Sequence, residues 1–205
     1  MKIAHIVRRF SFDEWGGTES VVWHIVRQQK AQGLTPEILC TAALDKAGTE
    51  VIEGITVKRF PYLYPYFPMP EKDKLALDKK GGNPFVPQLM RALEQGNYDI
   101  YHIHAGGRIA TYAMRLAEKL SVPTLMSLHG GSCAIPEQEM ALMLKPLKHK
   151  FSYGGIIDRI FRTKFAPESQ ADILLALSNE EVEKLQKIYP EKRIELFPNG
   201  ILHRE

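Results

Sequence analysis

Three places in the sequence bring together residue types able to act on a polar ligand. His129 stands ahead of Gly130-Gly131, His102 and His104 are separated by one residue, and Gly16-Gly17 precedes an apolar helical stripe. An imidazole titrates near 6.5 in water, so both protonation states are accessible and the neutral ring can donate to a substrate hydroxyl or diphosphate. Two glycines ahead of a helix open backbone N–H groups to a phosphate; a flexible turn is the other use of such a pair. Cys133 near His129 allows a thiol–imidazole nucleophile, although nothing else suggests acyl transfer. A metal site would combine His102, His104, His129 and Cys133, but no carboxylate or second cysteine is spaced to complete it. We therefore expect no metal and no cofactor. His102 reads as a hydrogen-bonded core histidine, and a capping or packing role is the alternative for His129.

These side chains matter only if the fold delivers them to one place. Lys2 to Val7 is a nearly continuous apolar run, as in a strand buried on both faces, and Val21, Val22, Ile25 and Val26 stripe a helix ended by Gly33. Further strands are expected at Pro36 to Thr41, Ile55 to Phe60, Asp99 to His104, Thr124 to Leu128, Ile173 to Leu177 and Arg193 to Phe197. Helical stripes lie at Phe85 to Leu93, at Ile109 to Leu120, and after Ser178, whose spacing to Glu181 fits a capping box. Asp45 to Glu53 reads as a polar turn, and Pro61 to Asn83, opening on a proline- and aromatic-rich run, as a long loop. That run suits either an acceptor lid or a surface loop anchored by its Tyr and Phe. Alternating strands and helices predict an α/β domain, doubly wound and Rossmann-like, with a mostly parallel sheet and helices on both faces. Ligands of such folds bind beyond the carboxyl ends of the strands. Arg8 to Thr18, His104 to Arg108, His129 to Cys133 and Ser178 fall there.

The chain has 205 residues, 44% of them hydrophobic and 25% charged, which suits one large globular domain and excludes wholesale disorder. No apolar run reaches the roughly 20 residues of a membrane span, and the start is too short for a secretory signal, giving a cytoplasmic reading. Cys40 and Cys133 are too few for a disulfide scaffold and read as buried thiols. The net charge of +3 is too small to indicate nucleic-acid binding. It is concentrated, however: Lys145, Lys148, Lys150, Arg159, Arg162 and Lys164 face only Asp158, a local +5 that leaves −2 for the remainder. Phe151, Tyr153, Ile156, Ile157, Ile160, Phe161 and Phe165 are interleaved with them, a pattern suited to an anionic membrane surface. An ordinary helix with Ile157, Ile160, Phe161 and Phe165 turned inward is the competing reading. Gly16-Gly17 does not complete G-x-G-x-x-G, and Cys40-Thr41 supplies no acidic residue for an NAD ribose, which disfavours a dehydrogenase.

Trp15-Gly16-Gly17-Thr18-Glu19, Tyr98-Asp99-Ile100-Tyr101-His102-Ile103-His104, Ser127-Leu128-His129-Gly130, Ala171-Asp172 through Ser178, and Pro198-Asn199-Gly200-Ile201 occur in this order. The ordered set resembles glycosyltransferase family 4 over essentially the whole chain, and specifically the N-terminal, acceptor-side domain of a GT-B enzyme. The resemblance implies a retaining, metal-independent transfer of a hexose from a sugar nucleotide to a glycan or lipid-linked acceptor, in a cleft between two Rossmann-like domains. It implies that Gly16 and Gly17 approach the donor diphosphate and that His129 lies at the transferred sugar as the catalytic residue. His104, Gly130 and Ser178 would line the acceptor side, and Asn199 and Gly200 would open the interdomain hinge. On that reading residues 1–198 form the acceptor domain and 199–205 start the hinge. The donor domain, or a separate donor subunit, would lie beyond Glu205, and this chain alone would be inactive. The sequence departs from the family in following Pro-Asn-Gly with Ile201-Leu202 rather than an apolar residue and Asp. Two other readings compete: a non-catalytic glycan or lipid-acceptor binder that recruits a catalytic subunit, and part of a GT-B-type sugar-nucleotide epimerase.

Overall fold

The computed structural model describes residues 1–129, 137–163 and 165–199; Gly130, Cys133, Lys164 and Gly200 lie outside that set. Its strands are β1 (Lys2–Arg9), β2 (Thr35–Thr41), β3 (Gly48–Ile52), β4 (Ile55–Phe60), β5 (Tyr66–Phe67), β6 (Ile100–Ile103), β7 (Thr124–Ser127), β8 (Phe151–Ser152), β9 (Ile173–Ala176) and β10 (Arg193–Leu196). The described helices are α1 (Gly17–Ala31), α2 (Glu71–Lys80), α3 (Pro87–Gln95), α4 (Gly107–Leu120), α5 (Glu137–Leu144), α6 (Gly154–Ile160) and α7 (Asn179–Ile188). Eight strands form one sheet in the order β10-β9-β7-β6-β1-β2-β4-β3, parallel throughout except where β3 joins β4. From β1 the chain winds first toward β2 and β4, then returns through β6 toward β10. The direction reverses between β1 and β6, which makes their carboxyl ends the crevice of a doubly wound sheet.

Side chains alternate across each strand, and the two faces collect different partners. Ile6, Leu39, Tyr101, Ile103, Met126 and Leu174 pack into one cluster with Leu89 and Leu93 of α3, Ile109 and Ala113 of α4 and Leu185 of α7. Val7, Ile38, Cys40 and Val57 point the other way and meet Val22, Trp23 and Val26 of α1. Each fully buried Leu or Ile in these layers contributes about 1.5–3 kcal/mol. By the same alternation His5, His102 and His104 share the α1 face, next to where its apolar layer stops. The Cys40 thiol lies in that layer and burial pushes its pKa up to about 12, keeping it protonated.

Three expectations are corrected. Asp45 to Glu53 is not merely a turn: it contains β3, paired to β4 so that Ile52 faces Ile55, with Glu53 (φ 50°) and Gly54 (φ 72°) both left-handed between them. Two consecutive left-handed residues make a type I′ hairpin, and the exposed β3 carries too little apolar alternation to announce itself. Pro61 to Asn83 is not an open loop, because α2 occupies half of it. Glu71 and Asp73 in its first turn and Lys79 and Lys80 in its last suit the helix dipole, and Gly81 at φ 115° caps it. Only Leu77 and Asp78 of α2 are buried, too few to print a helical period. Finally, the basic stretch from Lys145 is no single amphipathic helix; it divides into a 3₁₀ turn (Lys145–Leu147), β8 and the seven-residue α6. Ile160, expected inward on the helix reading, is 68% exposed, whereas Phe161 and Phe165 are half-buried.

Candidate functional site

A cleft of about 490 Å³ opens at the switch point, lined by Val7 to Arg9, Gly16 to Glu19, Gly81 to Asn83 and His104 to Gly107. Two helices begin on it, α1 after Gly16 and α4 after Gly106, and neither capping position contributes a side-chain hydrogen bond. First-turn N–H groups are orphans unless something outside the helix accepts from them, which makes such ends attractive to anions. The start of α4 is already served, because Asn83 Oδ1 accepts from Arg108 N at 2.8 Å. The start of α1 is barer: Gly17 has nothing within 4 Å of where a Cβ would stand, and a Cβ on Gly16 would come within 2.8 Å of Glu19 Oε2. Gly16 is thus small because the buried Glu19 carboxylate turns back over it to meet Arg9 Nε at 3.1 Å. Nη1 of Arg9 is buried without a hydrogen-bond partner among the described residues, as is Ser11 Oγ. Arg8 donates from Nη1 to the Asp78 carbonyl at 2.9 Å, and its burial lowers its pKa from the ordinary value.

Beside the cleft runs a chain of imidazoles. Parallel pairing sets His5 of β1 opposite His102 of β6, and His104 follows two residues on, toward the cleft. His5 Nδ1 lies 3.1 Å from His104 Nε2, and His104 Nδ1 lies 2.8 Å from His129 Nε2. At the far end His5 Nε2 is 2.7 Å from Gln29 Oε1 on α1. His129 takes a left-handed φ of 49° just after β7, which turns the chain at the strand end. His102 lies against His104 with ring centroids 3.9 Å apart and ring planes tilted by 37°, but its Nε2 goes to Ser127 Oγ at 2.8 Å. Desolvation lowers the pKa of every ring: His5 falls to about 4, His102 and His104 fall well below 6.5, and His129 falls as well. The cluster is therefore neutral at neutral pH.

His5, His102 and His104 each offer a nitrogen within 4.8 Å of the others. His5 Nδ1 and His104 Nε2 are hydrogen-bonded to each other and His102 Nε2 to Ser127 Oγ, while His102 Nδ1 is buried without a partner among the described residues.

The model of Glycosyltransferase Family 4 matches residues 15–203. The chain belongs to glycosyltransferase family 4. No curated protein sequence matches it. Among solved structures it is similar to sucrose-phosphate synthase from Thermosynechococcus elongatus, at 14% identity and a TM-score of 0.52, covering 98% of this chain and 48% of that one. It is similar to the same degree to the catalytic domain of starch synthase IV from Arabidopsis thaliana bound to ADP and acarbose: 13% identity, TM-score 0.52, covering 98% of this chain and 52% of that one. At these identities the likeness is one of fold, and the family 4 chain spans about half the length of both neighbours.

Of the residues that sequence reasoning chose, the structure gathers Gly16, Gly17 and His104 around the cleft and joins His129 to His104. The ring of His104, however, is not presented to an acceptor: it is 7% exposed and both nitrogens are engaged by His5 and His129. Ser178, at the end of β9, accepts from Glu181 N at 3.2 Å as the cap of α7. The reciprocal bond of its capping box goes to Leu177 N rather than to Ser178 itself, at 2.7 Å from Glu181 Oε2. Asn199 is exposed just past β10. His5, Gln29 and Asn83 of this family 4 chain were missed, and Arg8 and Arg9 were placed at the crevice without a role. A polar residue inside the apolar run Lys2 to Val7 was the available signal for His5; Gln29 gives none.

Proposed function

We propose that this chain is the acceptor-side half of a retaining glycosyltransferase, moving a hexose from a sugar nucleotide to a glycan or lipid-linked acceptor. The observation that carries the reading is the convergence of an uncapped helix start at Gly16-Gly17, the half-satisfied Arg9 guanidinium and the His104–His129 pair at one sheet end. The α1 terminus and Arg9 offer N–H donors and positive charge to a diphosphate leaving group, and His129 offers a neutral imidazole to a sugar hydroxyl. Rate enhancement on this reading comes from holding two substrates in register and stabilising the departing diphosphate. The starch synthase IV neighbour was solved with ADP, a nucleoside diphosphate of the class proposed here. Chemistry would require the donor-binding half.

The test is a transfer assay on the chain joined to its donor half, reading nucleoside diphosphate release from a panel of sugar nucleotides. His129→Ala should lower turnover by about 10²-fold or more, the scale of losing one electrostatic contact to a transition state, with the chain still folded. Normal turnover would remove His129 from the mechanism.

A peripheral position on an anionic membrane, at its cytoplasmic face, is favoured by a separate observation. Phe67 and Phe151 form a cross-strand pair between β5 and β8 yet are 70% and 68% exposed. Ile156 and Ile160, one turn apart on α6, are exposed as well. Lys150 is spent on Asp73 at 2.6 Å, but exposed Lys145, Lys148, Arg159 and Arg162 have no acidic partner among the described residues. No described helix is long and apolar enough to cross a membrane. Apolar groups flanked by free cations suit an interfacial contact, which sedimentation with anionic but not neutral vesicles would detect.

A further inference from the structure

We propose that Gln29 is a positioning residue for His129: through His5 and His104 it holds the His129 imidazole in the tautomer with hydrogen on Nε2 and the bare lone pair on Nδ1. The proposal deepens the reading of His129 as the substrate-facing histidine and rests on it for the identity of the ligand, but not for the tautomer.

A neutral imidazole has one N–H and one lone pair, so rings joined nitrogen to nitrogen must all point their hydrogens in the same direction. The end of the row sets that direction. Gln29 Oε1 can only accept, at 2.7 Å, so His5 carries its hydrogen on Nε2. His5 Nδ1 must then accept, which places the hydrogen of His104 on Nε2, 3.1 Å away. His104 Nδ1 in turn accepts from His129 Nε2 at 2.8 Å. The last lone pair, His129 Nδ1, is shielded from water and has no partner among the described residues.

The opposite direction requires the Gln29 amide turned over, and it ends with a buried N–H on His129 Nδ1 that nothing described accepts. Orphaned buried donors are rarer than under-used acceptors, which selects the first arrangement. The row also cannot conduct a proton away: Gln29 has no basic site to receive one, and burial holds His5 and His104 neutral. It therefore works as a latch on the tautomer rather than as a proton wire. His129 on this account accepts a hydrogen bond, whereas the unlatched ring would be equally able to donate one.

The test is NMR of the 205-residue chain labelled with ¹⁵N in its histidine rings, where long-range correlations show which nitrogen carries hydrogen. His5, His104 and His129 should each show a single tautomer with hydrogen on Nε2. Gln29 is half-exposed on α1, so Gln29→Leu should fold, and it should abolish the single tautomer in all three rings together. Hydrogen on His129 Nδ1 in the unmodified chain overturns the proposal. So do His129 nitrogens that ignore Gln29→Leu; should that variant unfold, Gln29→Ala supplies the same comparison. If the latch holds while His129→Ala retains transfer activity, the functional reading falls and the latch stands; the reverse pattern removes only the latch.

Discussion

At the centre of the sheet His5, His102 and His104 are nearly sealed from water, with His5 bonded to His104, while at the outer ribbon Phe67 and Phe151 face one another in solvent. Each region inverts the ordinary distribution of polar and apolar groups, and each carries a different liability. Buried polar groups lose stability when their protonation changes. Exposed aromatics give up almost nothing when removed, because folding never took them out of water. Regions that keep such inversions are where binding is most reasonably sought, and here they separate into one site for polar chemistry and one for surface contact.

Acid should separate the two regions most strongly. Burial holds His5 at about 4, against 6.5 for the exposed ring, so between those values the unfolded chain binds protons that the folded chain does not. Stability should be complete above about 6.5 and fall as pH drops toward 4, by about 3 kcal/mol from His5 alone. Urea midpoints measured across that window check it, and a flat profile would mean that the histidines are not sealed. The next largest effect lies where the two regions meet. Asp158 of α6 grips the nearly buried Arg108 of α4 through two bonds of 2.7 and 2.9 Å. Asp158→Ala strands that cation and should cost about 3 kcal/mol, read as a lowered thermal midpoint. Ser178→Ala, which removes the α7 cap, should cost about 1 kcal/mol. Smallest of all, Phe67→Ser with Phe151→Ser should change stability by no more than about 0.5 kcal/mol. The same pair should leave the acid profile untouched and diminish sedimentation with anionic vesicles.

What the sequence disclosed follows the same division. β4 was legible as Ile55 to Phe60 because Ile55 and Val57 alternate into a core layer, and α4 because Ile109, Ala113, Leu116 and Ala117 repeat at helical spacing. Residue type and position at strand ends led to Gly16, Gly17 and His129, and the family resemblance added the roles expected of them. The row that joins His129 to Gln29 was hidden because it depends on β1 lying beside β6, which sets His5 against residues nearly a hundred positions later. Local pattern carries no register between distant strands. The ribbon was hidden for the opposite reason: β5 and β8 are two residues each, too short for any period.

The aromatic run after β4 has one more consequence. Tyr62 and Tyr64 both donate to the Asp78 carboxylate, at 2.6 and 2.8 Å, while Leu63 exchanges backbone bonds with Phe85. Burial and that carboxylate drive both phenols well above their usual pKa, so neither hydroxyl ionises to release the grip. The first turn of this segment is riveted to α2 and has no slack with which to flap.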